Sequence, residues 1–293
     1  MSAFPAGATE AGAAPPPTER KRRRKLTSFI LPVFTGLMIL YLASPVFLMV
    51  LYSFNDLAGE RQIPRFTCCT LDWWRQMSEI VPLNQAVRTS IVVAIPSALV
   101  ATLLGTLIGL VLGRYRFSGR AVTNFVIFLA IAIPEIVLGS ALLSMFVELE
   151  FPLGTPDFLP LSILLSHIGF SIAFVAILVR ARVQGLDRSL ENAAQDLFAT
   201  PQVAFFKVTL PLILPGILGG FLLAFVLSLD DFVITTFVNG QTNTFPTWVF
   251  GTARLGIPPQ VNVWGTILFL AGISLAALNL VGAFRNSRRA KRA

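Results

Sequence analysis

The sequence predicts an all-α membrane protein with about six transmembrane helices and a cytoplasmic loop that carries a short amphipathic helix. Apolar residues make up 55% of the 293 residues and charged residues only 13%, a composition far from that of soluble domains. Several apolar stretches reach the roughly 20 residues that a helix needs to cross a bilayer. Lysine and arginine are concentrated in alternate segments between these stretches.

Six segments are expected to span the membrane, and together they define a membrane domain over 26–284 between basic tails at 1–25 and 285–293. The first apolar run is too long for a cleaved secretory signal and follows a long tail, so we expect a retained anchor. Two of the spans are included only because intramembrane acids are tolerated. The expected spans are 29–54, 89–112, 122–147, 158–180, 208–237 and 261–284, with a long loop at 181–207.

The distribution of basic residues predicts the orientation. Six of the 23 lie in 20–25, three in 114–120, four in 180–207 and five after residue 284, and these eighteen fall on one side of a six-span chain against five on the other. Basic loops face the cytoplasm, so both termini are expected there. Such clusters beside spans are typical of topology signals and contacts with membrane lipid, so no nucleic-acid partner is expected. The first 18 residues, rich in Ala, Gly and Pro, are expected to be disordered.

The loop at 181–207 is predicted to hold a docking helix. Its apolar residues recur at helical spacing, but about ten residues are too few to span and too apolar on one face to stand alone in water. The opposite face carries acids and amides, whereas helices that lie on lipid carry Lys and Arg, which favours a protein partner. Ser189 is predicted to cap this helix, and Thr200 with Pro201 to begin a second one. The apolar face consists of Leu190, Ala193, Ala194, Leu197 and Phe198, and the polar face of Glu191, Asn192, Gln195 and Asp196.

Three acids inside predicted spans are the candidate substrate-pathway residues: Glu135, Asp230 and Asp231. An acid at membrane depth is costly and tends to face a cavity, a partner or a substrate path. Pro134 is expected to kink the helix before Glu135. Asp230 and Asp231 are separated by about 100° on a helix, so only one of them is expected to face a narrow path, while the other caps a broken segment or pairs with a partner. A purely structural role in holding subunits together is the alternative for each acid.

No catalytic residue and no metal site is predicted. The lone His167 lies in an apolar span without a second ligand or triad, and is expected to make a helix–helix contact. Cys68 and Cys69 are adjacent and form neither a CxxC motif nor a disulfide framework. No phosphate-binding loop occurs, so ATP would have to act through a partner. Two other classes remain: a secondary transporter in which Glu135 and Asp230 carry coupling protons, and an intramembrane aspartyl hydrolase, for which no second suitably placed Gly-Asp motif is present.

The loop resembles the signature of permease subunits of type I bacterial ABC importers, which reads Glu-Ala-Ala, three residues, Gly, and later Leu-Pro. Here it reads Leu190-Glu-Asn-Ala-Ala-Gln-Asp-Leu-Phe-Ala-Thr-Pro201, followed by Val208-Thr-Leu-Pro-Leu-Ile-Leu-Pro-Gly216. Asn192 stands where the family has Glu, with Glu191 beside it, and Phe198 stands where the family has Gly. Together with Ile133-Pro-Glu-Ile136 and Leu227-Ser-Leu-Asp-Asp-Phe232, the chain is most similar to the spermidine/putrescine branch.

The resemblance implies a permease of the bacterial inner membrane that contains no cofactor and translocates a small cation such as spermidine or putrescine. Other cargoes of the same importer class are an opine, an amino acid derivative, thiamine or ferric ion. The implied partners are a second permease in a heterodimer, a cytoplasmic ATPase dimer that binds ATP and Mg, and an external solute-binding protein. The implied ATPase-coupling residues are Leu190, Glu191, Asn192, Ala193, Ala194, Asp196, Leu197, Phe198 and Ala199.

Overall fold

The computed structural model describes residues 20–56, 66–67, 69–154 and 159–290, with side chains from residue 29 to residue 279 within those ranges. These residues form helices, and their only β-pairing is an isolated bridge between Asn55 and Cys69. The all-α prediction is therefore confirmed. The predicted disordered segment 1–18 and Cys68 lie outside the described residues.

Twelve α-helices and one π-helical turn follow one another along the described chain. Five of them are long and apolar enough to span a membrane, or six if the bent pair α4 and α5 counts as one span. The helices are α1 (Arg20–Tyr52), α2 (Asp72–Arg75), α3 (Val81–Arg114), α4 (Arg120–Ala132), α5 (Glu135–Glu148), α6 (Leu161–Gln184), α7 (Ser189–Asp196), α8 (Pro201–Ala204), the π-helical turn Phe205–Thr209, α9 (Leu210–Asp230), α10 (Val233–Val238), α11 (Phe245–Thr252) and α12 (Gln260–Ala290).

The observed helices α1, α3 and α12 extend beyond the predicted spans. α1 already begins at Arg20, inside the predicted basic tail, and α12 continues to Ala290, inside the other. α3 begins eight residues before residue 89, because Pro82 lies at its first turn, where proline is favoured. The chain divides into two compact units, residues 1–49 and residues 50–293. The second unit contains the core and both candidate sites.

The core of the second unit forms where α3, α6 and α9 pack together. Its buried residues include Ala98 and Ala101 from α3, Val175 and Val179 from α6, and Ile213 from α9. α3 approaches α6 through glycines at every fourth position. A Cβ on Gly105 would lie 2.7 Å from the Val175 Cβ, and one on Gly109 would lie 2.8 Å from the Ala176 carbonyl oxygen. Small residues at such spacing let two helix backbones come close, which is a main source of packing energy in membranes.

Replacing Gly109 with Val is expected to lower the stability of the chain, because the contact is with backbone that cannot move aside. Overpacking of this kind costs about 1–3 kcal/mol. Thermal unfolding of the chain purified in detergent is the measurement. Gly169→Val is the matched control, since a Cβ on Gly169 of α6 would meet nothing within 4 Å. If the two variants unfold at the same temperature, the close approach of α3 and α6 is not needed for the stability of the chain.

Two predicted spans are broken by their acidic motifs. α4 and α5 meet at an angle of 105°. The break follows from Pro134, which disfavours helical dihedrals at the residue before it, and Ile133 has an extended backbone with φ −66° and ψ 128°. The kink predicted at Pro134 is thus confirmed, and it is sharp enough to divide the segment into two helices. The second break lies at Asp231, where φ is −64° and ψ is 120°, between α9 and α10. The predicted span 208–237 is thus interrupted at the aspartate pair, as in the alternative in which one aspartate caps a broken segment.

Helix α10 links the two broken segments. The ring of Phe237 on α10 packs against Gly139 of α5, where an added Cβ would lie 2.6 Å from the phenylalanine Cδ2. Phe237 also joins Val238 in a buried cluster with Phe146 from α5 and Ile163 from α6. The position of α5, which begins at Glu135, is therefore set by α10, which begins two residues after Asp231.

Candidate functional site

The two broken segments meet at a small cleft that holds the predicted intramembrane acids. Its cavity volume is about 200 Å³. Glu135 is the first residue of α5 and Asp230 the last of α9, and both are exposed. The carboxylates of Glu135 and Asp230, which are 95 positions apart in the sequence, therefore line the same cleft. The lining residues are Glu135, Phe170, Val226, Leu227, Asp230, Asp231, Phe232 and Val233.

Asp231 also borders the cleft, but its side chain is directed into the protein. The side chain is only 4% exposed. Its Oδ2 accepts hydrogen bonds from the backbone N–H of Thr235 at 2.8 Å and from the Thr235 hydroxyl at 2.7 Å, and it lies 3.3 Å from Nε2 of His167. Asp231 thus holds the first turn of α10, in the manner of a helix cap. The two adjacent aspartates therefore have different surroundings, with Asp230 exposed and the Asp231 side chain buried.

A chain of hydroxyl groups continues the buried network away from Asp231. Nδ1 of His167 lies 2.7 Å from the Ser228 hydroxyl, and Ser228 lies 2.9 Å from the hydroxyl of Ser97 on α3. Nε2 of the same ring lies 2.9 Å from the Thr235 hydroxyl. His167 makes a helix–helix contact, as expected, but a polar one that connects α6 with α9 and α10. A signal in the sequence could have indicated this network: the polar residues Ser228, Asp231 and Thr235 recur at spacings of three and four in an apolar stretch.

The short helix α7 lies in the loop where an amphipathic helix was predicted. Leu190 in α7 is exposed, and the two residues that follow the helix, Leu197 and Phe198, are exposed to 82% and 98% of the maximum. Phe198 has φ +63°, a left-handed conformation. Glycine adopts this conformation freely, whereas a bulky residue pays about 1 kcal/mol or more. The chain therefore keeps the backbone turn of the signature without its glycine, and presents an aromatic ring at that turn.

Glu191 anchors α7 to the rest of the second unit. Its carboxylate pairs with the Arg114 guanidinium at the end of α3 and accepts a hydrogen bond from the Thr209 hydroxyl in the π-helical turn. Arg188 strengthens the same junction by donating to the Arg114 carbonyl oxygen at 2.6 Å. Glu191 and Arg188 therefore connect α7 to the end of α3, and Glu191 connects it to the turn that precedes α9. The neighbouring Asn192, which occupies the family's Glu position, is exposed.

The start of α7 differs from the prediction. Ser189 is not the cap: Arg188 precedes the first helical residue, and no side chain caps the helix. Instead the backbone N–H of Ser189 donates to Oδ1 of Asp187 at 2.9 Å, which holds the pKa of the Asp187 carboxyl below its ordinary value. The second prediction is confirmed, since the Thr200 hydroxyl accepts from the N–H of Val203 and Pro201 is the first residue of α8.

Within the part of the chain that the structure describes, no group of three or more His, Cys, Asp or Glu side chains is placed to hold a metal ion. Cys69 is exposed and has a free thiol. The polar groups that do converge are carboxylates at a cleft and, behind it, a network of hydroxyl groups with the His167 imidazole and the Asp231 carboxylate.

Comparison with known proteins places the chain among transport components. Residues 105–289 match the family described as "Binding-protein-dependent transport system inner membrane component". The putrescine transport system permease protein PotI of Escherichia coli strain K12 is 37% identical over 245 residues, which cover 83% of this chain and 84% of that protein. The spermidine/putrescine transport system permease protein PotC of Haemophilus influenzae is 30% identical over 260 residues, which cover 88% of this chain and 98% of that protein.

The fold is similar to that of an experimentally determined transporter. A chain of a bacterial ABC transporter involved in the import of the acidic polysaccharide alginate superposes with a TM-score of 0.61 at 16% identity, covering 92% of this chain and 99% of that chain. At this identity the similarity concerns the fold. The family match covers more than half of the chain, and two permeases exceed two thirds coverage. The chain is therefore a multi-pass membrane protein that belongs to the family of inner-membrane components of binding-protein-dependent transport systems.

Proposed function

We propose that this chain is the permease subunit of an ATP-binding-cassette importer that carries a small polyamine cation, such as putrescine or spermidine, across the inner membrane. The observation that carries the proposal is the meeting of Glu135 and Asp230 at one cleft between two broken membrane segments. Carboxylates along a path attract cations and offset part of the cost of removing them from water. The relatives named for putrescine and spermidine transport support the same cargo.

The exposed face of α7 is the proposed contact with the ATPase subunits. Leu190 in α7 and Leu197 and Phe198 directly after it are exposed, and a helix of this length is too short to stand alone. A partner that binds ATP and Mg would bury this face, and its closure would move α7. Because Glu191 connects α7 to the end of α3 and to the turn that precedes α9, that motion would reach α9, which ends at Asp230 beside the cleft. The permease then alternates between outward-open and inward-open states.

The remaining partners follow from the transport cycle. A second permease would complete the path, since a single chain leaves Glu135 and Asp230 exposed. A solute-binding protein would deliver the cargo from outside. The excess of Lys and Arg in alternate segments supports an orientation with both termini in the cytoplasm, which places the loop at 181–207 on the side of the ATPase.

Reconstitution of the complete importer in liposomes tests the proposal. With ATP inside and binding protein outside, labelled putrescine or spermidine is expected to accumulate, and an opine, thiamine or ferric ion is expected neither to accumulate nor to compete. Accumulation of one of these cargoes instead would retain the importer and reject the polyamine. Uptake driven by a proton gradient with this chain alone would favour the secondary transporter in place of the importer.

A further inference from the structure

His167 is the one histidine of the sequence, and it lies in the second turn of membrane helix α6 at 1% exposure. It does not touch the cleft, since the residues that line the cleft do not include it. It does contact Asp231, which borders the cleft but has its side chain directed into the protein. We propose that His167 is a positioning residue for the cation path: it draws Asp231 into the protein and thereby directs Asp230 and Glu135 toward the cargo.

The hydrogen-bond partners fit an imidazole with a proton on Nε2. That proton faces Oδ2 of Asp231 at 3.3 Å and the Thr235 hydroxyl at 2.9 Å. Nδ1 is then free to accept from the Ser228 hydroxyl at 2.7 Å, and Ser228 accepts in turn from Ser97 at 2.9 Å. Every polar atom of the ring has a partner. Buried polar groups that are fully paired in this way fix one arrangement of the elements that carry them.

One carboxylate oxygen thus connects three helices. Oδ2 of Asp231, at the end of α9, receives two hydrogen bonds from Thr235 on α10 and faces the imidazole on α6. A buried carboxylate is stable only when it is paired. Among the described residues, the imidazole is the only partner of the Asp231 side chain outside Thr235, so its loss would remove the contact that ties the turn between α9 and α10 to α6 at this carboxylate.

The contact between His167 and Asp231 affects both exposed acids, each through different residues. Asp230 precedes Asp231 directly, so an inward Asp231 places the Asp230 side chain on a different face, toward the cleft. Glu135 is reached through α10, because Phe237 packs on Gly139 one turn into α5. The cleft therefore has its two carboxylates in place only while α10 is held. The inference rests on the proposed function in that these carboxylates are taken to face the cargo.

The first test measures the geometry without any cargo. Cys68 and Cys69 are replaced by serine, Asp230 by cysteine, and the rate of modification of that cysteine by a cationic methanethiosulfonate is measured in the assembled importer. His167→Gln and His167→Asn are compared in this background. The Gln amide reaches as far as Nε2 and keeps a donor to Asp231, whereas the Asn amide reaches only as far as Nδ1. Gln is expected to leave the rate within about twofold and Asn to change it about tenfold, since hydrogen bonds to charged groups are the strong ones.

Controls separate positioning from general damage to the core. Ser166→Ala, on the same helix, removes a buried hydroxyl whose one hydrogen bond within the described ranges goes to the Ser162 carbonyl oxygen, and is expected to change nothing. If the Asn variant does not assemble with its partners, Thr235→Val takes its place, because it removes a second donor to Asp231 with little change in shape. Equal rates for Gln, Asn and the parent, or rescue by Asn and not by Gln, would overturn the proposal.

The second test uses transport. If His167 acts through Asp231, then His167→Asn combined with Asp231→Asn should transport no less than Asp231→Asn alone, since coupled residues are not additive. Additive losses would mean that His167 acts on its own, and would overturn the proposal. A normal result in the modification test together with no polyamine uptake by the parent importer would reject the proposed cargo and leave the positioning role intact.

Discussion

Uptake of putrescine by the reconstituted importer is expected to fall about tenfold when Glu135 is replaced by Gln or Asp230 by Asn, and about a hundredfold when both are replaced. Two charges about 4 Å apart interact by about 4 kcal/mol at the effective dielectric of a protein surface, and solvent in the cleft reduces this to the smaller loss expected here. Both side chains are exposed, so the neutral amides should fit without repacking. The measurement is the initial rate of ATP-driven uptake.

The matched control is Glu148→Gln, the same change at the other end of α5 and outside the cleft. It should transport as the parent does. Glu135→Asp keeps the charge and should retain more uptake than Glu135→Gln. Complex assembly and the amount of each subunit should be unchanged in every variant. If uptake by both amide variants equals that of the parent, these acids do not line the path, and the cargo is moved by other groups.

Local sequence rules predicted the breaks in the membrane segments only in part. Pro134 acts on its own neighbours, so a bend beside Glu135 could be predicted, and the structure has it. The break at Asp231 has no proline. It arises because a side-chain carboxylate accepts the Thr235 N–H that a continuous helix would give to the backbone. Which of two adjacent aspartates does this depends on His167, which is 64 positions away in sequence.

The structure of the loop at 181–207 could be predicted from the sequence more fully than that of the cleft. Helical periodicity and the Thr200-Pro201 start are local properties, and α7 and α8 follow them. The anchor of Glu191 is not local, because Arg114 and Thr209 come from other elements. The left-handed turn at Phe198 is implied by the glycine of the signature, and it persists without the glycine. Backbone strain retained at an exposed aromatic residue points to a role outside the isolated chain.

Replacing Leu197 with Ala is expected to reduce ATP-driven uptake about tenfold or more while ATP hydrolysis by the partner continues without stimulation by cargo. Leu197 is 82% exposed in the isolated chain, so its truncation should leave the fold intact. Burial of a leucine side chain against a partner contributes about 1.5–3 kcal/mol, which accounts for a loss of this size. Uptake and hydrolysis are measured in the same liposomes, because their ratio separates uncoupling from a general loss of activity.

Leu103→Ala is the matched control, an equally conservative truncation of an exposed leucine on membrane helix α3, and it should keep the ratio of uptake to hydrolysis. Cysteines at Ala194 and Phe198 should crosslink to the ATPase subunit in intact membranes, because both positions belong to the face that the ATPase is proposed to cover. An unchanged ratio in the Leu197 variant, with no crosslink from either position, would mean that α7 does not receive the force of ATP binding. Glu191 would then only stabilise the loop, and the conformational change caused by ATP binding would have to reach the permease through another contact.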